Sequence, residues 1–131
     1  LLWWLLVGCS LLLLFTAAVI EPDVRGFGTH TQLGLPPCGF LTLTGVPCPG
    51  CGLTTAFSHG IRGQWSLAAS ANPLGLALFL AVCASIPLGI LAAVRGWSVD
   101  VLIERFALNR WALAVAGCAV AMWVVRLAEA F

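Results

Sequence analysis

Four side chains capable of chemistry fall within one short stretch. Cys38, Cys48, Cys51 and His59 all lie in PPCGFLTLTGVPCPGCGLTTAFSHG, residues 36–60. Cys48 and Cys51 flank a Pro-Gly pair, and that spacing serves three chemistries, which stay open at this point. The first is a structural disulfide among Cys38, Cys48 and Cys51. Joining Cys38 to Cys48 or Cys51 closes a loop of about ten residues and stabilises it by roughly 2–4 kcal/mol, leaving the third thiol free. The second is dithiol exchange. Cys48 would attack from the start of a helix whose dipole favours the thiolate, Cys51 would resolve, and Cys38 would relay. Against it, Pro-Gly reverses the thioredoxin order, and no βαβ pattern surrounds the motif. The third is a metal centre built from Cys38, Cys48, Cys51 and His59: Cys3His for zinc, or thiolates for copper(I). Along a continuous helix Cys51 and His59 stand about 12 Å apart, which weighs against their sharing an ion. His30, in the loop before the cysteines, would join only if that loop folds back; both histidines read more simply as interfacial or hydrogen-bonded residues.

Little else in the chain is equipped for catalysis. The serines lack a neighbouring base and acid. Glu21, Asp23, Asp100, Glu104 and Glu129 sit at span ends or in loops. Cys9, Cys83 and Cys118 lie in apolar runs and read as small hydrophobes. The expectation is therefore a protein that is not an enzyme. No cofactor is assigned beyond zinc or copper as the metals the thiols would take.

The elements that must position these residues are set by composition. Of 131 residues, 61% are hydrophobic and 8% charged, against about 25% charged in soluble domains. The mean hydropathy is +1.05. Lipid is the solvent this composition requires. A net charge of +1 gives no footprint for nucleic acid. The fold class expected is an all-α membrane protein: three transmembrane helices, a short re-entrant or interfacial helix, and a short amphipathic helix. All 131 residues form one integral-membrane domain, with spans at about 1–20, 73–94 and 111–128 and a Cys-bearing connection over 21–72.

The first run is long for a signal peptide, and Glu21-Pro22-Asp23 follows it in place of a cleavage site. The chain opens on Leu1 rather than Met, so a longer natural N-terminus is expected. Within the connection, residues 40–44 partly alternate and suggest an extended piece. A helix is expected to start at Cys48-Pro49 and stop at Gly60. Asn72-Pro73 suits the cap and first position of the second span, and Pro87 should kink it. Val99, Leu102, Ile103 and Phe106 make the apolar face of the amphipathic helix. Arg110 and Arg126 are expected to snorkel to the headgroups.

The string from Cys38 to Thr54, with its Cys-Pro-Gly-Cys-Gly core, and the later Ala71-Asn-Pro-Leu-Gly75 resemble the small bacterial membrane proteins of the domain of unknown function 2752 family. The resemblance covers roughly residues 38–94. It implies residence in a bacterial membrane and brings no established activity. Members usually carry arginine after the threonine of the core; here that position is Thr55.

Arginine counts set the expected orientation. Arg95, Arg105 and Arg110 crowd one loop, against Arg25 and Arg62 in the cysteine connection. By the positive-inside rule the cysteine connection faces outward across the inner (cell) membrane. Membrane lipid is one partner. Glycines and alanines in the second and third spans suit close helix packing, first within the chain and then against other membrane-protein helices or a second copy. The expected role is an accessory subunit or helix-docking partner of a membrane complex with a Cys-stapled hairpin; the alternative is a thiol-redox or metal-handling protein.

Overall fold

The computed structural model describes residues 1–105 and 107–130. All its regular elements among these residues are helical: α1 (Leu2–Val19), a single 3-10 turn (Thr29–Leu33), α2 (Gly39–Thr44), α3 (Leu53–Ile61), α4 (Trp65–Ala71), α5 (Pro73–Arg95), α6 (Val99–Arg105) and α7 (Leu108–Ala130). Three of them, α1, α5 and α7, are long and apolar enough to cross a membrane. Each span lies within three residues of its expected bounds. Phe106, assigned above to the amphipathic face, falls outside the described residues.

Where the helices start and stop follows from local chemistry. At Ile20 the backbone turns extended, as suits a chain about to enter Glu21-Pro22, because a residue preceding proline is pushed from the helical region. α5 begins as expected: Asn72 is extended, its side chain accepts from the Gly75 N–H, and Pro73 takes the first helical position. α5 runs past Pro87 and ends at Arg95, with Gly96 left-handed beyond it.

α1 and α5 pack along their lengths through small residues. Buried Val7 faces Gly89, where a Cβ would come within 2.8 Å of Val7 Cγ2. The Ser10 hydroxyl donates to Ser85 Oγ at 2.8 Å, since Ser85 gives its own proton to the Val82 carbonyl at 2.7 Å. Such interhelical bonds contribute about 0.6 kcal/mol on average in lipid.

α3 and α4 form a small cap on one end of this pair. Ala56, Ala68 and Ala71 are buried at its centre with Leu76 against them. Phe57 meets Phe79 edge-on at 5.6 Å, and Trp65 leans on the same ring. Arg62 ties the cap to α1. Its Nη2 donates to the Ala18 and Ile20 carbonyls, each at 3.0 Å, and its Nη1 to Ala17 at 3.2 Å. Buried Ser58 adds a 2.7 Å bond to the Ile20 carbonyl. The last carbonyls of a helix lack partners within it, and a cation there also meets the negative end of the dipole.

At the opposite end Trp3 Nε1 donates to the Trp97 carbonyl at 2.7 Å. The N-terminus and the 95–110 loop therefore share one end of the bundle, and the cysteine connection lies at the other. α7 does not pack as a third helix against α1 and α5 in the way its small residues suggest. None of its most apolar stretch is buried. Its attachments to the cysteine connection are Trp123 and Arg126.

Candidate functional site

Three sulfurs come together. Cys38, Cys48 and Cys51 have Sγ atoms all within 4.8 Å of one another, and all three are free thiols. They line the wall of a cavity of about 360 Å³, together with Arg25, His30, Thr54 and Thr55.

The backbone that presents them differs from the expected helix in instructive ways. α3 starts at Leu53, four residues after Pro49. Residues 48–52 form consecutive turns instead, with Cys51 N–H on the Cys48 carbonyl at 3.0 Å and Leu53 N–H on the Gly50 carbonyl at 3.1 Å. Gly52 interrupts any helix from Cys48, because it sits left-handed at φ 85°. The expected activation of Cys48 by a helix dipole therefore loses its geometry. Cys51 no longer shares a helical face with Thr55 and His59. The helix also runs past Gly60, whose missing side chain leaves room for the Phe79 ring, and stops at Ile61 before left-handed Gly63.

Residues 40–44 are helical, not extended. Thr42 N–H bonds the Cys38 carbonyl at 2.9 Å, and the Thr42 and Thr44 hydroxyls bond carbonyls four residues back. Five residues of alternation are too few to outweigh these local bonds. The short helix directs Cys38 toward the other two cysteines.

Asn72 holds the turn in place. It is fully buried. Its Nδ2 donates to the Cys51 carbonyl at 3.1 Å and the Pro49 carbonyl at 3.3 Å, while its Oδ1 caps α5. Arg126 donates to the Ala71 carbonyl at 2.8 Å and approaches Cys51 O at 3.4 Å. It is thus a clamp on the turn and not a snorkelling cation. Trp123 Nε1 donates to the Pro47 carbonyl at 3.0 Å, and its ring meets Phe40. Thr55 is buried and shares a 2.7 Å hydroxyl bond with Thr29.

His59 is not brought to the cluster. Its Nδ1 lies 2.6 Å from Gln64 Oε1, at the far end of α3. His30 is the histidine that borders the cavity, with Nε2 3.2 Å from the Pro36 carbonyl. Sequence spacing favours His59 because it counts residues along one helix. The 3-10 turn that carries His30 back, flanked by left-handed Gly28 and Gly34, has only those two glycines as its signal.

The thiols are electrically unequal. The Leu41 N–H and then the Cys48 thiol hold Cys38 below the ordinary thiol range. Burial, followed by the Cys48 thiol, pushes Cys51 up to about 12. A raised thiol pKa favours the folded state below the unfolded value near 8.5, and that contribution fades as pH climbs from there toward about 12. With limiting iodoacetamide at mildly alkaline pH, Cys38 is expected to be alkylated roughly tenfold or more faster than Cys51. Peptide mapping by mass spectrometry reads the order, and equal rates would refute it. Nearby, the Arg25 side chain holds Asp23 down to about 2 through bonds of 2.7 and 3.0 Å. That exposed pair keeps its form until pH falls to about 2.

No curated protein and no solved structure matches the chain. Residues 38–86, from the first cysteine of the trio to the middle of α5, match the model of the family described as Protein of unknown function (DUF2752).

Proposed function

We propose that this small multi-pass membrane protein holds a soft metal ion, zinc or copper(I), between Cys38, Cys48 and Cys51. The observation that carries the reading is the mutual approach of all three sulfurs within 4.8 Å. A staple needs two thiols, and a third at the same range has no part in it. A tetrahedral zinc with bonds of about 2.3 Å sets its sulfurs roughly 3.8 Å apart, so about an ångström of closure suffices. Thiolate donors select zinc and copper(I) among common metals. Because the thiols must lose their protons, affinity should fall as pH falls.

Residence in a bacterial inner membrane with the trio on the outer face is part of this proposal. It is supported by the arginines of the 95–110 loop, which gather at the end opposite the trio. A second role, as an accessory subunit docking other helices, is favoured by the unburied apolar length of α7; the two roles are compatible.

The test uses the whole chain, reduced, in detergent. About one zinc or copper(I) per chain is expected, with affinity reduced at least tenfold in Cys38→Ser, Cys48→Ser and Cys51→Ser. Cys83→Ser should change nothing. A metal-free protein whose trio resists alkylation until reductant is added would establish the staple instead. Unchanged metal binding in Cys48→Ser would also sink the proposal.

A further inference from the structure

Three thiols make an incomplete tetrahedron. Closed structural zinc sites use four protein ligands, whereas a site with three leaves one position to a smaller molecule. Neither histidine has a ring nitrogen inside the cluster: His59 pairs with Gln64, and His30 is held beside the Pro36 carbonyl. The three cysteines line a cavity of about 360 Å³, the space beside them in which a fourth ligand would sit. A water molecule takes about 30 Å³, so the space is an order of magnitude larger than one solvent ligand requires.

We propose that the fourth ligand is a small anionic thiol, bound in this cavity through its sulfur. The inference rests on the metal reading above and specifies what that site exchanges with. Softness selects the donor, since an ion already held by three thiolates takes a fourth readily. The cavity wall selects the remainder of the molecule. Arg25 borders the cavity with its Nε and Nη2 engaged by Asp23, which leaves its Nη1 as the donor for a carboxylate, and Thr54 and His30 line the same wall. When the thiol binds, the metal-bound water leaves, a metal–sulfur bond forms, and the thiol proton passes to solvent. Nothing is oxidised or reduced. A metal could then enter or leave this site as a complex with dissolved thiol.

Cobalt(II) in place of the native ion makes the ligand set visible. The full chain in detergent would be loaded with cobalt and titrated with N-acetylcysteine or with uncharged 2-mercaptoethanol. The sulfur-to-cobalt absorption is expected to rise by about one third as a fourth thiolate joins three. N-acetylcysteine should saturate at several-fold lower concentration, and Arg25→Gln should erase that preference. His30→Ala should leave the thiol-free cobalt spectrum unaltered. A cobalt spectrum that neither thiol changes would overturn the open position while leaving the metal reading intact. A spectrum altered by His30→Ala would give the fourth place to His30 and likewise overturn it. Equal affinity for the two thiols, or an Arg25→Gln protein that keeps the preference, would overturn the anionic selectivity. Absence of any cobalt spectrum would fail the metal reading itself.

Discussion

Gly52→Ala should leave little folded protein. Gly52 lies between the cysteine turn and α3, left-handed at φ 85°. An L-residue there costs roughly 1–2 kcal/mol in conformation alone. A Cβ would also clash with the Ala71 carbonyl oxygen and stand 2.8 Å from that of Gly26. Both are backbone atoms, so no side chain can swing aside. Overpacking of this kind adds about 1–3 kcal/mol, for a total of roughly 3 kcal/mol or more. Gly45→Ala is the matched control: it is also left-handed, at φ 72°, but a Cβ there would meet nothing within 4 Å. Thermal denaturation in detergent, followed by helical signal and by size-exclusion profile, should show a modest loss for Gly45→Ala and a collapse for Gly52→Ala. Equal losses would mean that the close approach to Ala71 and Gly26 is not real.

Asn72→Ala is expected to cost about 2–4 kcal/mol. The cap on Gly75 accounts for roughly 0.5–2 of that. The remainder comes from leaving the Pro49 and Cys51 carbonyls without their donor in a buried place, at about 1–3 kcal/mol. Asn72→Asp separates the two parts. It keeps the capping oxygen but presents a carboxylate to two carbonyls. It should therefore be no more stable than the alanine variant, and its trio should alkylate faster than in the parent. If Asn72→Asp melts like the parent, the amide contributes through its cap alone, and the account of how the cysteine turn is held must be abandoned.

Much of this architecture is legible in the residues. Twenty apolar positions in a row have one low-energy answer in lipid, and so the three spans follow from composition. Asn72-Pro73 announces its helix because cap chemistry is local. The cysteine turn is partly legible: the cluster Cys38, Cys48 and Cys51 is real, but its backbone is not a helix from Cys48. Proline at that position permits a helix start, and so does a turn; Gly52 decides between them through a tertiary contact with Ala71 that no local pattern encodes. Separation along the chain ranks His59 above His30, and it carries no information once a 3-10 turn reverses direction. Hydropathy alone makes Arg126 a membrane-facing charge and gives Arg62 no partner at all. Their partners are main-chain carbonyls of other helices, and a carbonyl leaves no mark in a sequence.

The hold that Arg126 and Trp123 have on Pro47, Cys51 and Ala71 sets an order of events during synthesis. Everything else that builds the cysteine turn leaves the ribosome before α7 does. Until α7 enters the bilayer, the Ala71 carbonyl waits without its guanidinium and the Pro47 carbonyl without its indole. The sulfur cluster therefore matures only after α7 has been made, and a nascent chain halted ahead of residue 123 carries all three cysteines in an unlatched pocket.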